Sequence, residues 1–111
     1  METVIKELTA KFTELLGENQ FVYGSFRSKP SIPYANYALD YSDDVYADDE
    51  NYYEIGVYIF RLVTDIKDFE LEKQFKGIFK ELGLTYKIIT DEDITSQKVH
   101  CTEFEVTICA S

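Results

Sequence analysis

Two stretches of the chain carry apolar residues at the three- and four-residue spacing that is typical of an amphipathic helix. The first covers residues 2–16, and Gly17 follows it as a stop signal. The second begins after the N-cap candidate Asp68, runs to Leu82 and is followed by Gly83. The pattern predicts one buried stripe on each helix, made of Val4, Ile5, Leu8, Phe12, Leu15 and Leu16 on the first and Leu71, Phe75, Ile78, Phe79 and Leu82 on the second.

Between and after these helices the chain is rich in aromatic and β-branched residues, which predicts strands. The predicted strands cover residues 20–26, 34–41, 52–64, 84–90 and 97–109. The strand at 52–64 is apolar on both faces through its middle, and Gly56 within it suggests a bulge or a close backbone approach. Because only one face packs against the helices, we expect the other face to meet a further surface, such as another subunit.

The predicted order of elements is α-β-β-β-α-β-β, with short connections between the strands. Such a pattern is typical of an α+β fold, here a mainly antiparallel sheet of about five strands with two helices packed on one face. The length of 111 residues fits a single domain, residues 1–111.

The balance of charge narrows the range of partners. The chain has 21 acidic and 11 basic residues, which gives a net charge of −10. Direct binding to nucleic acid or to an anionic membrane requires a positive surface, so both are disfavoured. The charge suits solubility, a basic partner or a surface that must repel DNA.

One local charge pair is predicted within the second helix. Glu72 and Lys76 are four residues apart, so we expect them to form an i,i+4 ion pair.

The sequence offers no set of residues that is typical of catalysis. Cys101 and Cys109 are separated by roughly 26 Å if they share one strand, which is too far for a disulfide and indicates a reducing environment. His100 precedes Cys101, but neighbouring strand residues point to opposite faces, so they are not expected to act together. Without zinc spacing or a phosphate-binding loop, we expect no enzyme activity, no cofactor and no metal site.

Acidic residues cluster at two predicted turns. The first cluster consists of Asp43, Asp44, Asp48, Asp49 and Glu50. It lacks the alternating ligands and central glycine of a calcium loop, so a solvated hairpin tip is expected. The second cluster, residues 91–93, lies in the predicted connection 91–96 between the closing strands. An exposed turn would leave these carboxylates without the apolar pocket that acid–base catalysis requires.

The connection at residues 27–33 is the one locally basic spot in the first half of the chain. It contains Arg27 and Lys29 and two prolines, Pro30 and Pro33. Such a loop is suited to docking against an acidic neighbour, although an ordinary surface loop is the alternative.

Several segments resemble the tail-completion proteins (tail terminators) and head–tail joining proteins of long-tailed phages and prophages. The similar features are the amphipathic first helix, the segment 33–41, the acidic turn at 42–49, the stretch 62–72 that enters the second helix, and the closing hairpin at 86–106. The Tyr52–Tyr53 pair and the cysteine-containing C-terminus have no counterpart in this pattern.

The resemblance implies a virion assembly role without catalysis. Proteins of this type form a ring, usually a hexamer, that caps the tail tube, ends its polymerisation and provides the surface for the head-side connector. The expected partners are other copies of the chain, the tail tube protein and the connector. The location is then the tail or neck of a virion assembled in the bacterial cytoplasm. DNA would pass through the ring without being bound, and no membrane is involved.

Residues that bind these partners are expected in the basic loop and the acidic turn. They are Arg27, Lys29, Pro30, Asp43, Asp44, Asp48 and Asp49. The alternative function is an acidic interaction protein, a DNA mimic or inhibitor that binds a nucleic-acid-binding partner. That function requires acidic residues arrayed on one face like phosphates, whereas the acidic residues here cluster at predicted turns.

Overall fold

The computed structural model describes residues 2–28, 30–42, 45, 46 and 52–110. The elements in this part of the chain are α1 (Glu2–Leu16), β1 (Phe21–Tyr23), β2 (Tyr34–Ser42), β3 (Val45–Tyr46), β4 (Tyr52–Thr64), α2 (Phe69–Glu81), β5 (Thr85–Ile94) and β6 (Val99–Ala110). The predicted α+β class and the order of the main elements are confirmed. The bounds of α1 and β4 agree with the predicted ranges at both ends.

The sheet has the strand order β1-β2-β4-β6-β5, and the two-residue β3 pairs with β4 beside this path. Every neighbouring pair is antiparallel except β1 and β2, which run parallel. Strand β4 is central because it pairs with β2 on one side and with β6 on the other. The prediction of a mainly antiparallel sheet with two helices on one face is therefore confirmed.

The side chains of β4 alternate between the two faces of the sheet. Tyr58, Phe60 and Leu62 belong to the core that the helices cover. Val57 and Val63 are buried on the opposite face. Gly56 allows a close approach, because a Cβ atom there would lie 2.7 Å from Cε1 of Tyr58. The ring of Tyr58 therefore lies over the backbone of the glycine.

Phenylalanine rings dominate the core. Phe12, Phe60, Phe75, Phe79 and Phe104 are each 0% exposed. Phe12 from α1 lies at the centre, with ring centroids 5.0 Å from Phe21, 5.8 Å from Phe60 and 4.5 Å from Phe75. One side chain thus joins α1 to β1, β4 and α2.

Both ends of α2 follow the signals in the sequence. The Leu71 N–H donates to Oδ1 of the N-cap residue Asp68 at 3.0 Å. At the other end Gly83 has a φ of +71°, a conformation that favours glycine. Its N–H donates to the Lys80 carbonyl at 3.0 Å, and the Leu84 N–H donates to the Phe79 carbonyl at 2.9 Å. These two bonds form a Schellman motif, which satisfies the last carbonyls of the helix.

The predicted ranges of three strands, β1, β5 and β6, were wrong by two or more residues at one end. Strand β1 is limited to Phe21–Tyr23 because Gly24 turns the chain at a φ of +82°. Strand β5 continues to Ile94, so residues 91–93 lie in a strand and not in the predicted connection. The turn falls instead at residues 95–98, where Lys98 has a φ of +56°.

No helix in the described part of the chain is long and apolar enough to cross a bilayer.

Candidate interaction surfaces

A cleft of about 520 Å³ opens beside β1, at one edge of the sheet. We call it the Arg27 cleft. Its lining consists of Asn19, Gln20, Phe21, Val22, Ser25, Phe26, Arg27, Ser28 and Pro30. Aromatic and aliphatic side chains therefore share the cleft with a guanidinium group. This combination suits an apolar side chain that is flanked by a carboxylate.

Hydrogen bonds to neighbouring backbone groups hold the walls of the Arg27 cleft. The Gln20 side chain donates to the carbonyls of Ser31 and, at 2.8 Å, of Pro33. The Asn36 amide donates to the Gly24 carbonyl at 2.7 Å. The loop after β1 is consequently tied to the start of β2 at several points, which gives the cleft a defined shape.

The structure gives the positions of only some of the predicted partner-binding residues, and their role in binding stays a prediction. It brings Arg27 and Pro30 together in the lining of the cleft. Lys29, Asp43, Asp44, Asp48 and Asp49 lie outside the described residues, so their role in partner binding stays a prediction.

A network of ionised side chains lies at the opposite side of the molecule, where the N-terminus of α2 meets β5 and β6. We call it the His100 network. Lys67 Nζ lies 3.0 Å from Glu72 Oε1 and 2.7 Å from Asp91 Oδ2. His100 lies between two carboxylates, with Nε2 2.6 Å from Asp91 Oδ1 and Nδ1 2.8 Å from Asp93 Oδ1. The side chains come from the β4–α2 connection, α2, β5 and β6, so the network links four parts of the chain.

The geometry of the His100 network favours the charged forms of its members. Burial by itself lowers the pKa of His100, but the hydrogen bonds with Asp93 and Asp91 outweigh it, so the pKa is raised. Burial likewise opposes the charge on Lys67, and its bonds to Asp91 and Glu72 raise the pKa in spite of it. The bond from Lys67 is the main cause that lowers the pKa of Asp91.

Glu72 is the most buried acid of the network, with 4% of its surface exposed. Besides Lys67 it accepts a hydrogen bond from the Thr102 hydroxyl at 3.1 Å. The predicted pairing of Glu72 with Lys76 was therefore wrong. The side chain points toward the sheet instead of along the helix surface, because a cation and a hydroxyl there satisfy its charge.

Three residues of this network could present ligands to a metal ion. Ligand atoms of Glu72, Asp91 and His100 all lie within 4.8 Å of one another. The Lys67 ammonium group, however, already bridges the two carboxylates at hydrogen-bond distance. The cation that balances these acids is thus part of the chain, and the arrangement is that of a structural ion network.

The open face of the sheet carries a buried thiol. Cys101 is free and 2% exposed, and Arg61 Nε donates to its sulfur at 3.1 Å. Burial raises the pKa of Cys101 and the neighbouring guanidinium lowers it, with a net increase. The thiol is therefore protonated near neutral pH and is not an activated nucleophile. His100 bonds to Asp91 and Asp93 instead, which agrees with the expectation that the two residues do not act together.

Two large apolar side chains are mostly exposed next to the His100 network. Each is 73% exposed; Ile66 lies within the connection between β4 and α2, and Phe69 is the first residue of α2. We call residues 65–69 the Ile66 loop. A shallow cleft adjoins it, lined by Asp65, Ile66, Asp93, Ile94, Thr95, Lys98 and Val99. Paired exposed apolar residues of this kind are typical of protein contact sites.

Sequence reasoning missed both the His100 network and the Ile66 loop. The even spacing of His100 and Thr102 on the closing strand was the available signal. The acidic composition of residues 91–93, which is usual for turns, favoured a connection at that point instead. The sequence also could not show that Lys67 points inward while Ile66 points outward.

The comparison with solved structures shows a likeness of fold to several chains. No family model and no curated protein sequence matches the chain. The structure is similar to a chain in the virion of a native gene transfer agent (GTA) particle, with a TM-score of 0.52 and 14% sequence identity. The similarity covers 94% of this chain and 88% of that chain. The two proteins therefore share an α+β fold over nearly their whole lengths.

Proposed function

We propose that this protein completes the tail of a phage-like particle in the manner of a tail terminator. Copies of the chain form a ring, expected to be a hexamer, on the end of the tail tube. The ring stops tube polymerisation and offers a joining surface to the head-side connector. The protein is assembled in the bacterial cytoplasm, remains in the tail or neck of the virion and has no catalytic role.

The observation that carries this proposal is the fold shared with a chain of the GTA virion. The match extends over 94% of this chain, so it involves the whole arrangement of helices and strands and not one common motif. The resemblance of segments 33–41 and 62–72 to tail-completion proteins supports the same role independently.

The chemistry of the described residues also supports a geometric role. His100 is held between two carboxylates and Cys101 is a buried, protonated thiol. Neither is arranged as a base or a nucleophile. What the described surface does offer is an apolar cleft with a cation and a loop with two exposed apolar side chains, both of which suit contacts between proteins.

The net charge of −10 has a physical use in such a ring. A negative lumen repels phosphates, so DNA passes through without binding to the wall. A ring also gives the open face of the sheet a possible neighbour, since heterologous contacts around a rotation axis bury different surfaces of each copy.

The test is an assembly assay with the tail tube protein of the same virus or prophage. The purified chain is added to polymerising tube protein, and tube length and tube ends are measured by negative-stain electron microscopy. We expect shorter tubes with a ring-shaped cap at one end. An unrelated protein of similar size and charge serves as the control for non-specific effects of acidity.

Tubes that elongate equally with and without the chain, and that carry no cap, would contradict the proposal. Recovery of the chain from cell extract in complex with a nuclease or polymerase would favour the alternative, an acidic inhibitor of a nucleic-acid-binding protein.

A further inference from the structure

The Ile66 loop exposes apolar surface and is at the same time firmly held. Between the two 73% exposed residues, Ile66 and Phe69, the side chain of Lys67 turns inward to Glu72 and Asp91. Lys67 Nζ also lies 5.0 Å from the centroid of the Phe69 ring. A loop that is ordered before binding loses little conformational freedom on contact, which favours affinity.

Exposed carboxylates lie beside the apolar pair. Asp65 and Glu70 are exposed beside it, and the Asp93 side chain is 74% exposed on the neighbouring strand. The charge of Lys67 is already balanced by Glu72 and Asp91, and Lys98 lines the shallow cleft that adjoins Ile66. The surface that covers this loop should therefore combine an apolar hollow with a cation that faces Asp65.

The Arg27 cleft of the same chain has this character. Its walls include Phe21, Val22, Phe26 and Pro30, and its volume of about 520 Å³ exceeds that of the shallow cleft beside the Ile66 loop. Arg27 is exposed and makes no ion pair with another described residue. In a chain with a net charge of −10, such an unpaired cation in an apolar cleft is suited to an acidic partner.

The cleft and the loop lie toward opposite edges of the sheet. The cleft adjoins β1, the first strand in the spatial order, and the loop is tied through Asp91 to β5, the last. The two surfaces thus lie at different places on the molecule, and a row of copies can bring one against the other.

From this complementarity we infer that the Ile66 loop of one copy docks into the Arg27 cleft of the next. Ile66 and Phe69 enter the apolar cleft, and Asp65 pairs with Arg27. Because the two surfaces differ, the contact is heterologous and repeats around a ring or along a filament. The inference rests on the proposed function, for which it specifies the contact between subunits.

The first experiment maps the contact directly. The photo-crosslinking residue p-benzoylphenylalanine replaces Phe69, and the purified chain is irradiated at increasing concentrations and analysed by peptide mass spectrometry. We expect a covalent dimer in which position 69 is joined to residues 19–30 of a second copy. The same crosslinker at Gln74, an exposed position on α2, is the matched control and should give no such product.

The second experiment tests the charge pair. Asp65→Arg and Arg27→Asp are each expected to weaken self-association, measured by sedimentation velocity, by about tenfold. The double variant should restore it, because the charges are exchanged and not removed. Glu7→Arg, an equivalent reversal on exposed α1, should leave self-association unchanged.

Absence of self-association at every concentration, crosslinks from position 69 to another region, or failure of the double variant to recover would each overturn this contact. These results are separate from the tube assay. A chain that caps tubes but crosslinks elsewhere retains the proposed function and loses this interface. A chain that crosslinks as expected but leaves tube growth unchanged retains the interface and loses the function.

Discussion

At the scale of single residues, the His100 network combines several charges that would each be unfavourable alone. Glu72 is buried, and its charge is compensated by Lys67 and by the Thr102 hydroxyl. His100 is 4% exposed and has a carboxylate at each ring nitrogen. Buried charges are tolerated when they are paired and hydrogen-bonded in this way. The network should therefore contribute to stability in a manner that depends on pH.

We predict that the free energy of unfolding falls as the pH rises from the ordinary histidine pKa of about 6.5 through the raised pKa of His100 in the folded protein. The folded protein holds the proton on His100 more tightly than the unfolded chain does, since Asp93 and Asp91 raise its pKa. The stabilising contribution is full below the ordinary histidine pKa and is lost as the pH passes the raised value. Urea unfolding at several pH values measures this dependence.

The variant His100→Gln is the control, because glutamine can donate a hydrogen bond but does not titrate. Its unfolding free energy should change less over the same pH range. Equal pH dependence of the two proteins would show that His100 is not the group responsible.

At acid pH the free energy of unfolding is expected to fall as the pH decreases, because of Asp91. The lowered pKa of this carboxyl group gives stability that is lost when the carboxylate is protonated.

At the scale of an element, α2 shows how local signals and tertiary contacts combine. Asp68 caps its first turn and Gly83 ends it, as the sequence predicted. Phe75 and Phe79 form its buried stripe. Gly77 lies within the helix at an exposed position, and a Cβ atom added there would meet nothing within 4 Å. Glycine is therefore favourable at position 83, where φ is positive, and unfavourable at position 77, which is inside the helix.

We predict opposite effects for alanine at these two glycines. Gly83→Ala should destabilise the protein by about 1–2 kcal/mol, because an L side chain is strained at the positive φ of the helix end. Gly77→Ala should stabilise it by about 0.5–1 kcal/mol, because alanine loses less conformational freedom in a helix. Thermal and urea unfolding of the two variants check the prediction, and each serves as the control for the other. Effects of the same sign would contradict it.

At the scale of the whole molecule, the aromatic core holds the two helices on one face of the sheet. Phe12 contacts rings from β1, β4 and α2. Phe79 extends the cluster to Phe104 on β6 and Tyr86 on β5. Almost every element is thus connected through a few close-packed rings, and loss of one of them leaves a cavity that the others cannot fill.

We predict that Phe12→Ala lowers the free energy of unfolding by about 3–5 kcal/mol, as is usual for a buried aromatic residue. Phe69→Ala is the matched control, since it removes the same ring from a 73% exposed position and should change stability by less than about 0.5 kcal/mol. Urea unfolding measures both. A small effect at Phe12 would show that the core can collapse around the missing ring.

The sequence by itself determined the elements and the core. Helical spacing marked the stripes that contain Phe12 and Phe75, and Asp68 and Gly83 marked the ends of α2, because these signals depend on residues within one or two turns of each other. Alternation in β4 separated Phe60 from Val57 for the same reason. The Arg27 cleft was anticipated only as a basic loop with prolines.

Only the tertiary structure decided the parallel pairing of β1 with β2, the continuation of β5 through Asp91 and the position of the Ile66 loop. Each depends on residues far apart in the chain. Asp91 stays in a strand because Lys67 and His100 neutralise it across the fold, whereas its neighbours alone favour a turn. Pairings of this kind are set by which elements the core brings together, and local composition carries no record of them.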